Sequence, residues 1–525
     1  MAGMARRDGP DEGGRDALRG AAVTSAWTLG SRLLGYLRDA LMAAAFGVTP
    51  VFGALALAWV VPNLFRRLFG EGAVGAAVQP ALARAESEGG PAAAHALFAR
   101  FHGFLLIVLF ALVAVGELLL GAWREVLGGD AAHVETRRTL LYSMVLLPYV
   151  VPICLTALLA APQNLRGGFW RPALGPVLLN LCWIAALLWP LPPGAGDETL
   201  AFRIMAAILV GGVLQWAVQL PGVRGSGWPL RPVFGAPDPR LRAALATFLP
   251  ALLGLAAAQL AAVVDQVMVR WLVDPSANAY TYLANRLLHL PLALIGVAAV
   301  TGAMPWLARL AAAGDRAGLA RAVRRNAEPL LLLTVAAAAG LWAVADPAVR
   351  VLFERRRFTP DDTAVLVGTL RAYLFGLPAA ALAGLLVRAH QASGHYATPA
   401  RIAGAMLPLD VVANLLLIPW LGVAGAGWAT SLVLTVQCLW LLRRLRTEDL
   451  LPEPVLRVRD LPTLLLPGFL AGGAAALALH LLGDAAPTLG LVVAIPVGLL
   501  AFAGAAWRLR GEDWSSLLAA LRRRG

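Results

Sequence analysis

Six charged side chains interrupt two apolar stretches near the start of the chain, and their chemistry frames the question of function. In SRLLGYLRDALMAAAFG they are Arg32, Arg38 and Asp39; in ALALAWVVPNLFRRLFGE they are Arg66, Arg67 and Glu71. A charged side chain at the centre of a bilayer costs at least about 2.5–3.5 kcal/mol. Such groups either pair and reach for the interface, or line a wet cavity that handles a charged substrate. Arginines outnumber acids four to two in these stretches, so pairing leaves positive charge over. A planar guanidinium grips phosphate oxygens in a bidentate way. Surplus positive charge in a cavity is what an anionic, phosphate-bearing substrate needs.

Helical spacing groups these residues further. At about 100° per residue, Arg32 and Asp39 share one face of the first helix, and Ser31 and Arg38 share the neighbouring face. On the second helix Asn63, Arg67 and Glu71 fall together, with Arg66 beside them; Pro62 predicts a kink just before this turn. Later, YTYLANRLLHLPLALIGV carries Arg286 with Asn285 and His289 next to it. Asp265 lies in AAAQLAAVVDQVMVRW, Asp410 and Asn414 lie one turn apart in LPLDVVANLLL, and Thr430 and Ser431 follow. Hard oxygens on three helices could hold a sodium ion or a proton, or could form an interhelical hydrogen-bond cluster. The spacing supports both equally.

The elements that position these groups are membrane helices. The chain has 525 residues, 59% of them apolar, and a mean hydropathy of +0.71. Apolar blocks of about 20 residues recur along it, long enough to cross a hydrocarbon core of about 30 Å, and period-2 alternation is absent. The reading is an all-α polytopic membrane protein of about fourteen transmembrane helices. They begin near Ala22, Val51, Leu97, Thr139, Pro172, Leu200, Leu241, Ala277, Ala327, Thr363, Ala400, Gly422, Leu461 and Thr488. Every basic residue is an arginine, and the +13 net charge fits the positive-inside rule better than nucleic-acid binding. Counted from a cytoplasmic N-terminus, about 29 of the arginines fall inside and about 10 outside. The loop VRVLFERRRFTPDD, with Arg350, Arg355, Arg356 and Arg357, is the outward exception.

The halves of the chain resemble each other. PALAR at Pro80–Arg84 matches PWLAR at Pro305–Arg309, and AAPQNLRGGFWRPA matches RAHQASGHYATPA. Spans one to six therefore repeat in parallel as spans seven to twelve. Residues 1–21 form a polar tail, 22–225 an N-terminal six-helix lobe, 226–446 a C-terminal six-helix lobe, 447–508 two appended helices and 509–525 a second tail. Such repeats place a substrate site near mid-membrane between the halves, and Arg286 takes the repeat position of the Arg66–Arg67 turn. The last two spans carry almost no charge and read as a pair packing on lipid or a partner.

Other chemistries are absent. The sequence has no nucleotide-binding glycine loop, no zinc-type spacing and no serine elbow. Asp361 and Asp362, read as lying in a loop, lack the second acidic cluster of a metal-dependent prenyl-phosphate enzyme. Cys154, Cys182 and Cys438 behave as small apolar residues. The expectation is a transporter and not an enzyme.

Taken together, SRLLGYLRDALMAAAFG, VVPNLFRRLFGEGAVGAAVQPALAR, ANRLLHLPLALIGVA, LFERRRFTPDDT and NLLLIPWLGVAGAGWATS closely resemble the MurJ (MviN) family. These are lipid II flippases of bacterial inner membranes, within the multidrug/oligosaccharidyl-lipid/polysaccharide exporter superfamily. The resemblance implies a cationic central cavity in which Arg32, Arg38, Arg66 and Arg286 match essential arginines, with Ser31, Asp39 and Glu71 at matching positions. Their implied role is to hold the pyrophosphate and head group of lipid II, the undecaprenyl-pyrophosphate-linked disaccharide-pentapeptide, while its tail stays in lipid. It further implies alternating access, a monomer in the cytoplasmic membrane with both termini cytoplasmic, and contacts with membrane lipids and cell-wall synthesis or division proteins. No cofactor is implied beyond coupling to membrane potential, H+ or Na+, the last at Asp265, Asp410, Asn414 and Thr430. The chain departs from the family pattern at Gly53, where an aspartate is usual, and at Asn285 and His289, which replace acids. Two other readings share the sequence: a cation-coupled exporter of drugs or another polyprenyl-linked saccharide, and a non-transporting scaffold of the cell-wall machinery.

Overall fold

The computed structural model describes residues 10–69, 77–292, 295, 306–448, 450–451, 454–483 and 486–522. Among them the regular structure is helical, without strands. The chain divides into two compact units, Met1–Gln259 and Leu260–Gly525.

The first unit holds α1 (Pro10–Phe46), α2 (Pro50–Ala58), α3 (Val60–Leu68), α4 (Gln79–Val126), α5 (Val134–Leu146), α6 (Val150–Leu165), α7 (Trp170–Leu188), α8 (Asp197–Ala217), α9 (Leu220–Gly225) and the start of α10 (Pro239–Leu272). Thr49 starts α2 by accepting the Phe52 N–H on its Oγ1 at 3.3 Å, with Pro50 in the first turn. The second span breaks at Trp59, between α2 and α3. That is where the ring of Pro62 crowds the carbonyl four residues back, so the predicted kink lies one turn earlier than the proline itself. α4 changes direction at Gly90, whose φ of 69° suits glycine, followed at once by Pro91.

The second unit continues with α11 (Ala277–Pro291), α12 (Arg316–Ala343), α13 (Ala345–Phe353), α14 (Pro360–Leu374), α15 (Leu377–Ala392), α16 (Ala397–Leu421), α17 (Val423–Thr447), α18 (Leu461–Leu482) and α19 (Pro487–Arg522). Its pairings reproduce those of the first unit. There α2 packs on α5, α4 on α6, α5 and α6 on α8, and α7 on α8. Here α11 packs on α14, α12 on α15, α14 and α15 on α17, and α16 on α17. The fourth and tenth spans are both broken in two beside a proline, at Pro148 and Pro378. The internal repeat read from short sequence matches is thus repeated in the packing.

Eleven helices among the described residues are long and apolar enough to cross a membrane. α11 has 15 residues and carries Asn285, Arg286 and His289. Asp361 and Asp362 do not lie in a loop but open α14, where Asp362 completes a capping box with Thr359. Of the two appended helices, α18 lies along α12 and α19 lies on α18.

A close backbone approach seats α18. A Cβ on Gly468 would meet Val335 Cγ1 at 2.7 Å and the Ala336 nitrogen at 2.8 Å, and one on Gly472 would meet the Ala339 oxygen at 2.8 Å. Small residues at such contacts are how membrane helices gain dispersion energy. Gly468→Ala is expected to destabilise the protein by about 1–3 kcal/mol through overpacking. An unfolding midpoint in detergent equal to wild type would show that α18 is not held this tightly.

Exposed tryptophans mark helix ends in each unit. The third, fifth, seventh, ninth and eleventh spans end at Trp123, Trp189, Trp271, Trp342 and Trp420, all exposed. Such rings favour the headgroup level of a bilayer.

Candidate functional site

In the first unit, α1 and α7 lie side by side, and their polar residues meet in an apolar surround. Arg38 and Asp39 are 6% and 0% exposed. Arg38 Nε and Nη2 donate to Asp39 Oδ1 at 2.9 and 2.7 Å. A third donor, Nη1, reaches Asn180 Oδ1 on α7 at 2.9 Å. The guanidinium also lies over the ring of Trp183, 4.4 Å from its centroid, a favourable cation–π contact. Asn180 turns its Nδ2 to the Ser31 carbonyl at 2.9 Å and to Ser31 Oγ at 3.4 Å. Ser31 and Arg38, placed on one face by spacing, are therefore joined through one amide. Asp39, placed on a face with Arg32, turns instead to its chain neighbour; Arg32 is half-buried on the same helix.

Beneath Arg38 the platform extends across three more helices. Trp183 is T-shaped to Trp59, with ring centroids 5.4 Å apart. Trp59 in turn touches Tyr149 at 5.3 Å, whose hydroxyl accepts from Gln215 Nε2 on α8 at 3.1 Å. Trp59 is the residue at which the second span breaks. On α3, Asn63 Oδ1 accepts from Arg66 Nε at 3.1 Å, and Arg67 Nη1 donates to Gln259 Oε1 on α10 at 3.3 Å. Glu71 lies outside the described residues.

In the second unit, Arg286 is half-buried on α11, and Asn285 Nδ2 donates back to the Thr281 carbonyl at 3.0 Å. The residues considered for a cation come together. Asn414 Nδ2 donates to Asp265 Oδ1 at 2.7 Å and to the Asp410 carbonyl at 3.0 Å, while Thr430 Oγ1 donates to Asp265 Oδ2 at 2.9 Å. Three helices, α10, α16 and α17, are thereby cross-linked. Asp410 Oδ2 and Asn414 Oδ1 are buried acceptors without a hydrogen-bond partner among the described residues. Ser431 is not part of this cluster: its hydroxyl donates to the Ala372 carbonyl at 2.7 Å and accepts from the Gly376 N–H at 2.9 Å, bridging the break in the tenth span.

Sequence reasoning missed Asn180, Trp183, Trp59 and Gln259. The available signal was an amide inside WRPALGPVLLNLCWIAALL, since a polar group buried there needs a partner.

The family profile described as "Lipid II flippase MurJ" matches residues 42–492, most of the chain. The chain belongs to this family. A probable lipid II flippase MurJ of Rhizobium tropici is 33% identical over 419 residues, covering 78% of each chain. The lipid II flippase MurJ of Burkholderia cenocepacia is 29% identical over 445 residues, covering 83% of this chain and 85% of that one. These relatives are named as flippases, not enzymes. A solved lipid II flippase MurJ in an inward closed conformation shares the fold, with a TM-score of 0.74 at 22% identity over 93% of this chain and 99% of that one. A multidrug resistance MATE-family transporter of the MOP superfamily is similar at a TM-score of 0.63 and 16% identity, over 82% and 98%. The fold is that of a polytopic membrane transporter, as the sequence resemblance implied.

Proposed function

We propose that this chain flips lipid II across the bacterial cytoplasmic membrane, from the inner to the outer leaflet, by alternating access. Membership of the flippase family supports the cargo, and the observation that carries the mechanism is Arg38, a buried guanidinium set on an aromatic platform. A pyrophosphate is recognised by guanidinium groups through paired, charge-assisted hydrogen bonds. Arg32, Arg38, Arg66 and Arg286 are assigned to this task, with Arg67, Asn63, Ser31, Asp39 and Glu71 supporting them. The undecaprenyl tail stays in lipid throughout, and both termini stay in the cytoplasm. Asp265, Asp410, Asn414 and Thr430 are assigned to a coupling cation, Na+ or H+; the two buried acceptors Asp410 Oδ2 and Asn414 Oδ1 are suited to a hard cation.

Complementation tests this reading. When the native flippase is depleted, the wild-type chain is expected to sustain growth and outward-facing lipid II. Arg38→Ala and Arg286→Ala are each expected to fail even when expression is raised until the amount of folded protein equals that of wild type. Growth with both variants would overturn the reading and favour a scaffold, whose contribution cavity substitutions would leave intact.

A further inference from the structure

We propose that Arg371, with Trp342 beside it, binds the phosphate of an anionic glycerophospholipid whose acyl chain lies over Phe375 and Trp428. All four residues belong to the second unit, and the site is independent of the cargo assigned above. A site for a lipid headgroup needs a cation at headgroup depth, a fixed orientation for that cation, and an apolar surface for the chain.

Arg371, on α14, meets the end of α12. Its Nε donates to the Trp342 carbonyl at 3.2 Å, and its Cζ lies 4.5 Å from the centroid of the Trp342 ring. A carbonyl and an indole face together fix the plane of the guanidinium. Arg371 joins no ion pair among the described residues, and its Nη1 and Nη2 have no protein partner there. Neither nitrogen is a buried atom. Asp346, four residues beyond Trp342, is engaged by Arg350 at 2.8 Å. The free end of Arg371 is thus the two-pronged fork by which a guanidinium takes two phosphate oxygens.

Depth and surroundings match a lipid. Trp342 is 42% exposed at its helix end, and such an indole seats at the level of the headgroups. A Cβ on Gly368, one turn before Arg371 on α14, would meet no atom within 4 Å, so the approach to the fork is open. One turn deeper, Phe375 is 58% exposed and its ring packs on Trp428 of α17, with centroids 4.6 Å apart. These rings offer a chain an apolar path down from the phosphate. Phe375 also lies in the break between α14 and α15, so a chain resting on it bears on that break. A zwitterionic headgroup brings its own cation beside the phosphate and would set it against Arg371. An anionic one does not.

The test uses the purified full chain, stripped of lipid in detergent and titrated separately with dioleoylphosphatidylglycerol, dioleoylphosphatidylcholine and inorganic phosphate. Bound lipids are counted by native mass spectrometry beside thermal unfolding. Wild type is expected to hold one phosphatidylglycerol about tenfold or more tighter than phosphatidylcholine, and to unfold at a higher temperature with it. Arg371→Gln is expected to weaken that copy about tenfold. Trp342→Leu, which leaves the arginine in place, is expected to weaken it about three- to tenfold. Arg388→Gln, at an exposed arginine of α15, should bind as wild type. Unfolding midpoints without lipid show whether each variant is folded. Equal affinity of wild type for the two lipids would overturn the proposal, as would undiminished phosphatidylglycerol binding by both Arg371→Gln and Trp342→Leu. Full stabilisation by inorganic phosphate alone would show a site for the free ion and would overturn the lipid.

Discussion

Replacing Arg38 by alanine is expected to destabilise the purified protein by about 3–5 kcal/mol, the usual consequence of removing one member of a buried ion pair. Much of that loss comes from Asp39. Its side chain is fully buried, and in the variant it would keep a charge in an apolar surround without the guanidinium that now offsets it. The Asn180 oxygen and the Trp183 ring would lose a partner as well. Removing the acid in the same background should therefore restore stability. The double variant Arg38→Ala/Asp39→Ala is expected to recover more than half of the lost stability, yet to transport no better than the single one. Denaturation in detergent micelles for all four members of the cycle gives the pair's coupling energy. Equal stabilities for the single and double variants would show that Asp39 is not the source of the cost. Recovery of transport together with stability would show that Arg38 acts as a clamp and not as a ligand.

The second large effect concerns Asp265. Two donors from two other helices converge on its carboxylate, at 2.7 and 2.9 Å. Asp265→Leu is expected to strand both, each buried donor costing about 1–3 kcal/mol. Asp265→Asn is the sharper probe, because it keeps the shape and removes the charge. If the cluster holds sodium, the wild-type protein should gain stability as sodium replaces choline. The gain is about 2.7 kcal/mol at a hundred times the dissociation constant. Asp265→Asn should abolish that gain and slow flipping in proteoliposomes at least tenfold. A proton in the same place would give a dependence on pH and none on sodium. A wild-type protein indifferent to both would leave the cluster as an interhelical tie.

How far the residues foretold this arrangement depends on how local each interaction is. The cation candidates were legible because Asp410 and Asn414 lie four apart in an apolar helix, where polar groups must find one another. The repeat was legible from short matches and holds in the packing. Arg38 with Asp39 was not, because neighbours in a helix point about 100° apart, and the wheel cannot show a long arginine curling back onto the next residue. Nor was Asn180, 142 residues from Arg38, since nothing in an apolar run says which helix it will face. Helix ends were read short for a related reason. α12 begins at Arg316, eleven residues before the apolar block at Ala327, because a helix can continue beyond the hydrocarbon on capping alone. Here Asp315 Oδ1 accepts the Gly318 N–H at 2.6 Å.

The exposed tryptophans at Trp123, Trp189, Trp271, Trp342 and Trp420 bear on how the protein rides in membranes of different thickness. An indole is rigid and amphipathic, so its depth in the headgroup layer tolerates little change. Arginine arms at helix ends, such as those of Arg444 and Arg446 on α17, stretch or retract by several ångströms at small cost. A bilayer thinner or thicker than the helices would be accommodated by those arms, at fractions of a kcal/mol per ångström of mismatch. Variation in lipid chain length is in this way absorbed by the arginine arms, while each indole holds its depth.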